Sequence, residues 1–379
     1  MCHVTTAGGA AAAGVFASIH GIVDHLGRRD RLDVRLLYAA PAAAADATEW
    51  SIPNVDHRRW SYRGPAFFCY GPDLPALLPT AADAVVHQHG LWQYPSIACA
   101  GRQRLRGCRR VVSPHGMLHP WALRVRPYRK RAAWTAYERR SSAEADVFHA
   151  TAAAEAGYIR DRGLRQPIAV IPHGVDVPEL PPELPREASR DTARTALFLS
   201  RLHPGKRVED LLAAWGSVRP PGWRLVIAGP DDGGHRGTLE PLARDVGDSV
   251  RFVGSVHGAA KERLFREADL FILPSLSENF GLVVAESLAR GVPVITTTGT
   301  PWSQLPARGC GWWIAPGAEP LSAALREAVA LSPDALAAMG RRGWDYARSE
   351  LTWDRVAMQY EALYRWLAGG GVAPSFVET

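Results

Sequence analysis

Residues 269–295 read DLFILPSLSENFGLVVAESLARGVPVI, and this stretch decides the fold of the C-terminal half of the chain. Its apolar run over 269–275 is short and bounded by turn residues, which is typical of a buried strand in a parallel sheet. A helix is predicted to begin near Gly281, and residues 291–297 predict the next strand. The stretch therefore indicates a strand, a helix and a second strand of an α/β domain.

The same alternation of apolar runs and helix-length segments covers both halves of the chain. Strands are predicted in the first half at HVTT (3–6), DVRLLYA (33–39), AVVHQHG (84–90), RRVVSPHG (109–116), DVFHAT (146–151) and PIAVIPHG (167–174). In the second half they are predicted at TALFLSRL (195–202), WRLVIAGP (223–230) and SVRFVGSV (249–256). Such alternation predicts βαβ units around a parallel sheet in each half.

A chain of 379 residues exceeds what one hydrophobic core usually organises, so two α/β domains are expected. The break between them is a stretch of closely spaced prolines and charges, which neither a helix nor a strand interior tolerates. We predict an N-terminal Rossmann-like domain over 1–178, a linker over 179–192, a C-terminal Rossmann-like domain over 193–352, and a C-terminal amphipathic helix and tail over 353–379.

Composition narrows the class of protein. The five cysteines are scattered without a CxxC pair, which argues against a disulfide framework and a zinc site and fits a reducing cytoplasm. No apolar run approaches the roughly 18 residues of a membrane span, and the N-terminus lacks a signal-peptide pattern. The protein is expected to be cytoplasmic, with peripheral contact to the inner face of the membrane as a further expectation.

The net charge of +6 is unevenly distributed, because arginines and one lysine concentrate in residues 102–140, called here the basic segment. Aromatic residues alternate with these cations: Trp121, Tyr128, Trp134 and Tyr137. Such a pattern can serve an anionic membrane surface, a phosphorylated acceptor or nucleic acid, of which we do not expect nucleic acid. The alternative is an arginine-rich helix that is merely solvated.

Two glutamates in the opening stretch are candidate ligand-binding residues. Glu278 precedes the predicted helix, and Glu286 is expected about two turns into it. A carboxylate accepts two hydrogen bonds, so Glu286 can receive paired hydroxyls such as a ribose diol. The turn from Asn279 to Leu282 would present free backbone N–H groups to an anionic ligand. The alternative is that both carboxylates only stabilise a helix N-terminus.

Residues 197–212, LFLSRLHPGKRVEDLL, supply two cations where another strand is predicted to end. Arg201 and Lys206 flank the turn 202–205, and two cations beside a helix start suit a diphosphate that leaves as an anion. A metal ion does this work in other enzymes, but the chain has no Asp-x-Asp pair of the kind that such metals use. We expect no metal and no other cofactor. Taken singly, either cation is an ordinary surface residue.

The segments SRLHPGKR and ADLFILPSLSENFGLVVAESLARGVPVI, with their spacing, resemble the retaining glycosyltransferases of family 4 (group 1). The resemblance spans essentially the whole chain. It implies the GT-B fold: two Rossmann-like domains facing across a cleft, with the C-terminal helix crossing back to the N-terminal domain. It also implies that the N-terminal domain binds the acceptor and the C-terminal domain binds the nucleotide sugar.

The resemblance assigns roles to individual residues. Arg201 and Lys206 are implied to hold the donor diphosphate, Glu286 the nucleotide ribose, and Glu278 the sugar. Backbone amides at Asn279, Phe280, Gly281 and Leu282 are implied to meet the donor. We therefore count Arg201, Lys206 and Glu278 as candidate catalytic residues.

The N-terminal half is similar to bacterial members that build surface polysaccharides, through QHGLWQYPS (88–96) and SPHGMLHPWAL (113–123). This places His115 at the reacting sugar as a fourth candidate catalytic residue and makes His89 a weaker candidate for contact with the acceptor. Gly9 is a candidate neighbour of the donor phosphate, although its glycine-rich loop is shorter than the family's. His173 stands where the family commonly has asparagine and is expected to be structural.

The function that the resemblance implies is transfer of a hexosyl group, with retention, from a nucleotide-diphosphate sugar to a glycan or lipid-linked acceptor. Two alternatives stay open. A sugar-nucleotide epimerase shares the two-domain architecture, and a non-catalytic protein that binds glycan or membrane would keep the fold without turnover. A phosphorylase would need a lysine placed for pyridoxal phosphate, and nothing in the sequence marks one.

Overall fold

A computed structural model describes residues 1–6, 13–29, 32–41, 52–179, 181 and 193–379. These residues form two compact units: unit 1 consists of Met1–Gly174 and Trp353–Thr379, and unit 2 of Val175–Thr352. The first boundary falls between Gly174 and Val175, whereas the sequence predicts the N-terminal domain to end at residue 178. The predicted linker over 179–192 lies almost wholly outside the described residues.

The strands follow in chain order. They are β1 Cys2–Thr5, β2 Arg35–Pro41, β3 Asp56–Tyr62, β4 Val85–His89, β5 Arg109–Ser113, β6 Val147–Ala150, β7 Ile168–Val170, β8 Arg194–Leu199, β9 Trp223–Ala228, β10 Val250–Gly254, β11 Leu270–Leu273, β12 Val294–Thr297, β13 Gly311–Ile314 and β14 Val377–Glu378.

The helices are α1 Ala13–Gly27, α2 Leu74–Leu77, α3 Tyr94–Arg106, α4 Pro120–Arg124, α5 Pro127–Ala133, α6 Arg139–Ala143, α7 Ala153–Asp161, α8 Val208–Val218, α9 Arg236–Val246, α10 Gly258–Glu267, α11 Leu282–Ala289, α12 Ala318–Ala330, α13 Pro333–Glu350 and α14 Trp353–Gly369. A π-helical turn, Trp134–Glu138, joins α5 to α6, and a 3₁₀ turn, Pro204–Lys206, precedes α8. Among the described residues, every helix is too short or too polar to cross a bilayer.

Unit 1 is built on an eight-stranded sheet with the order β14-β7-β6-β5-β4-β1-β2-β3. Its strands are parallel except β14, which pairs antiparallel with β7. Strands such as Val147–Ala150 are wholly buried, as expected when helices cover both faces of a parallel sheet. This confirms the predicted α/β class for the N-terminal half.

Helix α14 belongs to unit 1 although it follows unit 2 in the chain. Its apolar side, which includes Val356, Tyr360 and Leu363, is buried in one cluster with residues of α1. The ring of Trp353 lies where a Cβ on Gly21 or Gly174 would stand, so these two glycines admit the indole. The helical spacing of apolar residues in the sequence thus corresponds to an amphipathic helix whose apolar face is buried.

Unit 2 has a parallel six-stranded sheet with the order β10-β9-β8-β11-β12-β13. Counted from β8, this is the 3-2-1-4-5-6 order of the doubly wound dinucleotide-binding fold. The direction of winding reverses between β8 and β11, which are neighbours in the sheet. Ligands of such sheets bind outside the carboxyl ends of the two strands at this switch point.

Candidate functional site

The candidate site of unit 2 lies at the carboxyl ends of β8 and β11, the two strands at the switch point. The turn that follows β8 carries Arg201 and Lys206, and the loop that follows β11 carries Glu278. The two loops are joined directly, because the backbone N–H of Leu276 donates to the carbonyl of Gly205 at 2.9 Å. Two segments that are distant in sequence therefore form one surface.

Lys206 and Glu278 form an ion pair at this surface. Nζ of Lys206 lies 2.5 Å from Oε1 of Glu278, and the two side chains are only 15% and 14% exposed. The hydroxyl of Ser275 donates to the same carboxylate oxygen at 2.7 Å. Both charges are largely withdrawn from solvent. Their interaction with an anion or hydroxyl that binds beside them is therefore stronger than it would be in bulk water.

Arg201 lies on the same loop but is more exposed. Its guanidinium Nη1 is 2.7 Å from Oδ2 of Asp232, and the arginine side chain is 47% exposed. Asp232 belongs to the turn after β9, and its backbone N–H donates to the carbonyl of Leu202 at 3.2 Å. The sequence does not indicate this partner, since a single aspartate in a DDGG turn carries no motif.

Glu286 is the fifth residue of α11, so it lies about one turn into the helix rather than two as predicted. At 3.6 residues per turn, Glu286 lies only about 1.4 turns beyond the predicted start at Gly281, so the predicted distance was too large. Oε1 of Glu286 is 2.6 Å from Nζ of Lys261 in α10, a partner that the sequence did not indicate. Oε2 is buried and has no hydrogen-bond partner within the described part of the chain.

The loop between Glu278 and α11 is held in a conformation that requires glycine. Gly281 is the N-cap of α11 with φ of +77°, in the left-handed region. Phe280 points inward and is 6% exposed, and its carbonyl accepts a hydrogen bond of 2.6 Å from the indole of Trp302. Phe280 can therefore meet a ligand only through its backbone. Asn279 and Leu282 are half-buried on either side.

His115 belongs to unit 1, where it follows β5 with a positive φ of 50°. Its Nε2 lies 2.9 Å from Nδ1 of His89, and its ring stacks on that of His173 with 6.0 Å between centroids. Burial lowers the pKa of His115 to about 3, so the imidazole is neutral at physiological pH. His115 is thus part of a packed histidine cluster rather than an isolated side chain at a strand end.

His89 is buried, and both of its ring nitrogens have partners: Nε2 lies 3.0 Å from His3 and Nδ1 contacts His115. The predicted contact between His89 and an acceptor is therefore wrong, because the ring faces other histidines. His173 is 4% exposed, which agrees with the structural role expected for it. Gly9, the predicted phosphate neighbour, lies outside the described residues.

Two further features of the described residues could hold a ligand. A cavity of about 400 Å³ lies beside α9 and β10, lined by residues such as Glu240, Arg244 and Phe252, and contains none of the residues above. Within the described residues, His3, His87 and His89 form the group of side chains close enough to share a metal ion. The five cysteines are free and buried.

Models of known protein families match both halves of the chain. A family model described as glycosyltransferase family 4 matches residues 12–179, and one described as glycosyl transferases group 1 matches residues 182–343. A D-inositol 3-phosphate glycosyltransferase of Segniliparus rotundus is 32% identical over 250 residues, 61% of this chain and 55% of that protein. A phosphatidyl-myo-inositol mannosyltransferase of Mycolicibacterium smegmatis is 31% identical over 212 residues, 53% of each chain. The chain thus spans about half the length of these curated relatives.

Solved structures show the same architecture at low identity. Sucrose-phosphate synthase from Thermosynechococcus elongatus superposes with a TM-score of 0.73 and 20% identity, covering 98% of this chain and 99% of that chain. The Anabaena protein HepE, in complex with UDP, gives 0.75 and 18%, covering 95% and 98%. These likenesses establish the fold. Together with the matches in both halves, they show that the chain belongs to the family 4 (group 1) glycosyltransferases and has the GT-B fold.

Proposed function

We propose that this protein transfers a hexosyl group, with retention of configuration, from a nucleotide-diphosphate sugar to a glycan or lipid-linked acceptor. The observation that carries the proposal is the convergence of Lys206, Glu278 and Arg201 at the carboxyl ends of β8 and β11. Membership of a glycosyltransferase family supports it, and so does a similar structure, that of Anabaena HepE in complex with UDP-glucose.

The donor diphosphate is proposed to bind Lys206 and Arg201. Both cations have carboxylate partners, Glu278 and Asp232, so both are already positioned before a ligand arrives. The first turn of α11, which has no side-chain cap, adds the positive end of a helix dipole. A leaving diphosphate gains negative charge as the glycosidic bond breaks, and fixed cations stabilise that charge without reorganisation.

The nucleotide ribose is proposed to bind Glu286. Lys261 occupies one carboxylate oxygen and orients the group, while the second oxygen is buried and has no partner within the described part of the chain. A buried carboxylate oxygen without a hydrogen bond is costly, and a ribose hydroxyl would satisfy it. Glu278, held by Lys206 and Ser275, is proposed to accept hydrogen bonds from the donor sugar.

In the proposed reaction the bond from the anomeric carbon to the diphosphate breaks, and a bond to the acceptor oxygen forms on the same face of the sugar. The acceptor proton passes to the leaving phosphate. We propose that no metal ion takes part, because Lys206 and Arg201 supply positive charge where the phosphate departs. Activity that survives chelation would support this.

The acceptor side is proposed to involve unit 1 and a membrane surface. Arginines 124, 126, 129, 131 and 139 of the basic segment are exposed. Trp121 and Tyr128 of the same segment are 43% and 80% exposed. Phe67 is 56% exposed and lies beneath the guanidinium of Arg129. Exposed cations with aromatic rings suit an anionic lipid interface. One relative is named a phosphatidyl-myo-inositol mannosyltransferase, which supports a lipid acceptor. We also propose a role in surface polysaccharide synthesis.

Flotation with liposomes tests the membrane part. The protein should float with vesicles that contain anionic lipid at low salt and remain at the bottom with neutral vesicles. A variant with Arg124, Arg126 and Arg129 changed to Ala should lose flotation while keeping its melting temperature. Failure of the wild-type protein to float at low salt would contradict membrane contact.

A panel of UDP-, GDP- and ADP-sugars, presented with EDTA, tests the enzymatic part. Thermal shift reports binding, and nucleotide release reports turnover. One donor is expected both to raise the melting temperature and to be turned over. If no donor binds, the non-catalytic alternative is favoured; if the donor is only epimerised, the epimerase alternative is favoured.

A further inference from the structure

A continuous chain of hydrogen bonds crosses the interior of unit 1. We call it the histidine relay, and its members are His115, His89, His3, Tyr364, His87, Ser113 and His149, ending on the carbonyl of Ile171. Neighbouring rings stack, with 4.2 Å between the centroids of His87 and His89. None of these contacts is required by the proposed donor site of unit 2.

The sheet register explains why the histidines meet. β1 and β4 are adjacent parallel strands, and their register sets His3 beside His87. His87 and His89 are two residues apart and so project from the same face of β4. Tyr360 and Tyr364, one turn apart on α14, lie against this face and contribute their hydroxyls.

The histidines of the relay are neutral. Burial lowers the pKa of His3 and His115 to about 3 and of His149 to about 4, and it holds the pKa of His87 and His89 well below the usual value. A neutral imidazole has one N–H donor and one acceptor nitrogen. Each hydrogen bond in the relay therefore fixes the direction of the next one.

The carbonyl of Ile171 sets that direction, because it can only accept. Nε2 of His149 lies 2.9 Å from this carbonyl and 2.9 Å from the hydroxyl of Tyr360. A bare lone pair on Nε2 would face the carbonyl oxygen, so Nε2 carries the proton, the Tyr360 oxygen also accepts from it, and Nδ1 of His149 is left as an acceptor. Ser113 Oγ, at 2.7 Å, donates to that Nδ1 and therefore accepts from Nε2 of His87 at 2.6 Å. Nδ1 of His87 is then an acceptor, and Tyr364 donates its phenolic proton to it at 2.6 Å.

The second half of the relay follows from the phenol of Tyr364. Its proton is committed to His87, so its oxygen can only accept from Nε2 of His3, 3.5 Å away. Nδ1 of His3 is then an acceptor, and Nε2 of His89 donates to it at 3.0 Å. Nδ1 of His89 accepts in turn from Nε2 of His115 at 2.9 Å. The opposite direction would leave two bare lone pairs facing each other at His3 and Tyr364.

We propose that the relay fixes His115 as the Nε2–H tautomer, so that its buried Nδ1 can act only as a hydrogen-bond acceptor. Nδ1 of His115 has no hydrogen-bond partner within the described ranges, although it is withdrawn from solvent. His89, His3 and Tyr364 are positioning residues, since they act through His115. The tautomer rests on hydrogen bonds within unit 1 alone.

A metal ion is the competing use of these histidines, because His3, His87 and His89 can approach one centre. Both nitrogens of His87 are hydrogen-bonded to hydroxyls at 2.6 Å. Nδ1 of His3 and Nε2 of His89 are hydrogen-bonded to each other at 3.0 Å. The hydrogen bonds of the relay satisfy the cluster without an ion. Zinc that binds stoichiometrically and shifts the His3, His87 and His89 resonances would overturn the relay.

The experiment is nitrogen NMR of the full chain labelled with ¹⁵N-histidine, with His115→Gln used to assign the His115 resonances. Nδ1 of His115 should appear at the position of an unprotonated ring nitrogen and Nε2 at that of a protonated one. A protonated Nδ1 would overturn the proposal. No substrate is present, so this result is independent of whether a nucleotide sugar binds.

Two tyrosine variants test the relay itself. Tyr364→Phe removes the acceptor of His3 and the donor to His87, so His115 should become a mixture of two tautomers. Tyr360→Phe removes a hydroxyl from the same face of α14, but among the described residues that hydroxyl hydrogen-bonds to His149, which keeps its bond to Ile171. His115 should remain a single tautomer there. Equal changes in both variants, or none in Tyr364→Phe, would contradict the relay.

Discussion

Nζ of Lys206 lies 2.5 Å from Oε1 of Glu278, and this contact joins the carboxyl ends of two neighbouring strands that are 72 residues apart in the chain. The pair sits where the winding of the unit 2 sheet reverses, which is where such sheets bind ligands. A diphosphate that binds Lys206 would share this cation with Glu278, so the carboxylate would remain beside the bound sugar.

Replacement of Lys206 should affect turnover far more than stability. In Lys206→Ala the leaving group loses a fixed cation, and we expect turnover to fall about 100- to 1,000-fold. Removing one partner of this largely buried ion pair leaves the Glu278 carboxylate uncompensated, so the melting temperature should also fall, by about 5–10 °C, without loss of the fold. Arg201→Ala should behave alike with a smaller effect, because it is more exposed.

Arg236→Ala is the matched control for these variants, since Arg236 forms an exposed ion pair with Glu240 on α9. It should leave both nucleotide release and melting temperature unchanged. A collapse of the melting temperature in Lys206→Ala would instead assign the pair a structural role.

Glu286 should determine affinity for the ribose. Glu286→Ala is expected to weaken nucleotide diphosphate binding about 10- to 100-fold, because it removes a charged hydrogen-bond acceptor. A 2′,3′-dideoxy nucleotide should bind weakly to the wild-type protein and no more weakly to Glu286→Ala. Calorimetry of the four combinations measures the coupling; additive losses would show that Glu286 does not contact the diol.

Glycine is required at Gly281, just before α11, and at Gly299, just after β12, for different reasons. Gly281→Ala must keep φ near +77°, which should lower the free energy of unfolding by about 1–2 kcal/mol. A Cβ on Gly299 would stand 2.2 Å from the carbonyl oxygen of Leu276. Gly299→Ala should therefore displace the loop that carries Leu276 and Glu278, and so abolish donor binding. Gly237→Ala, which meets nothing within 4 Å in α9, should be neutral or stabilising. Chemical denaturation and donor thermal shift distinguish the three.

Acid should destabilise unit 1 before it protonates ordinary carboxylates. Burial holds the pKa of the relay histidines far below 6.5, so between pH 6.5 and about 4 the unfolded chain binds more protons than the folded one. Stability should therefore fall as the pH falls, by up to about 1.4 kcal/mol per pH unit for each such histidine.

Glu138 acts in the opposite direction, because burial raises its pKa to about 7 and its contribution is lost as the pH rises from 4.5. It offsets only one histidine. Melting curves between pH 7 and 5 should show the net fall, and Tyr364→Phe at matched pH reports whether the relay carries it. A melting temperature that is flat over this range would contradict neutral, buried histidines.

Much of this fold could be predicted because its strands are apolar and its glycines mark the turns. β11 and α11 lie where the stretch 269–295 predicts them. β3 was not predicted, because its sequence DHRRWSY is a polar edge strand in which only Trp60 is buried. An edge strand such as β3 pairs with one neighbouring strand instead of two, so the apolar periodicity of its sequence is weak.

The site was harder to predict than the fold. Lys206 and Glu278 stand out because they flank strand ends, but Lys261 and Asp232 are single charges whose partners are 25 and 31 residues away. The relay left a signal that the sequence analysis did not use. Histidines occur within or just after several predicted parallel strands, as in HVTT, VVHQH and VFHA, and adjacent register brings such residues together.

The most direct test of the central claim is carbon NMR of a reaction with the donor found in the panel, labelled with ¹³C at the anomeric carbon. The wild-type protein, with EDTA and a lipid-linked or glycan acceptor, should move the label from the nucleotide to a new glycosidic bond with the anomeric configuration of the donor. Lys206→Ala should slow this transfer. Label that appears only in free sugar or in an epimerised nucleotide, or a product of inverted configuration, would contradict retaining glycosyl transfer.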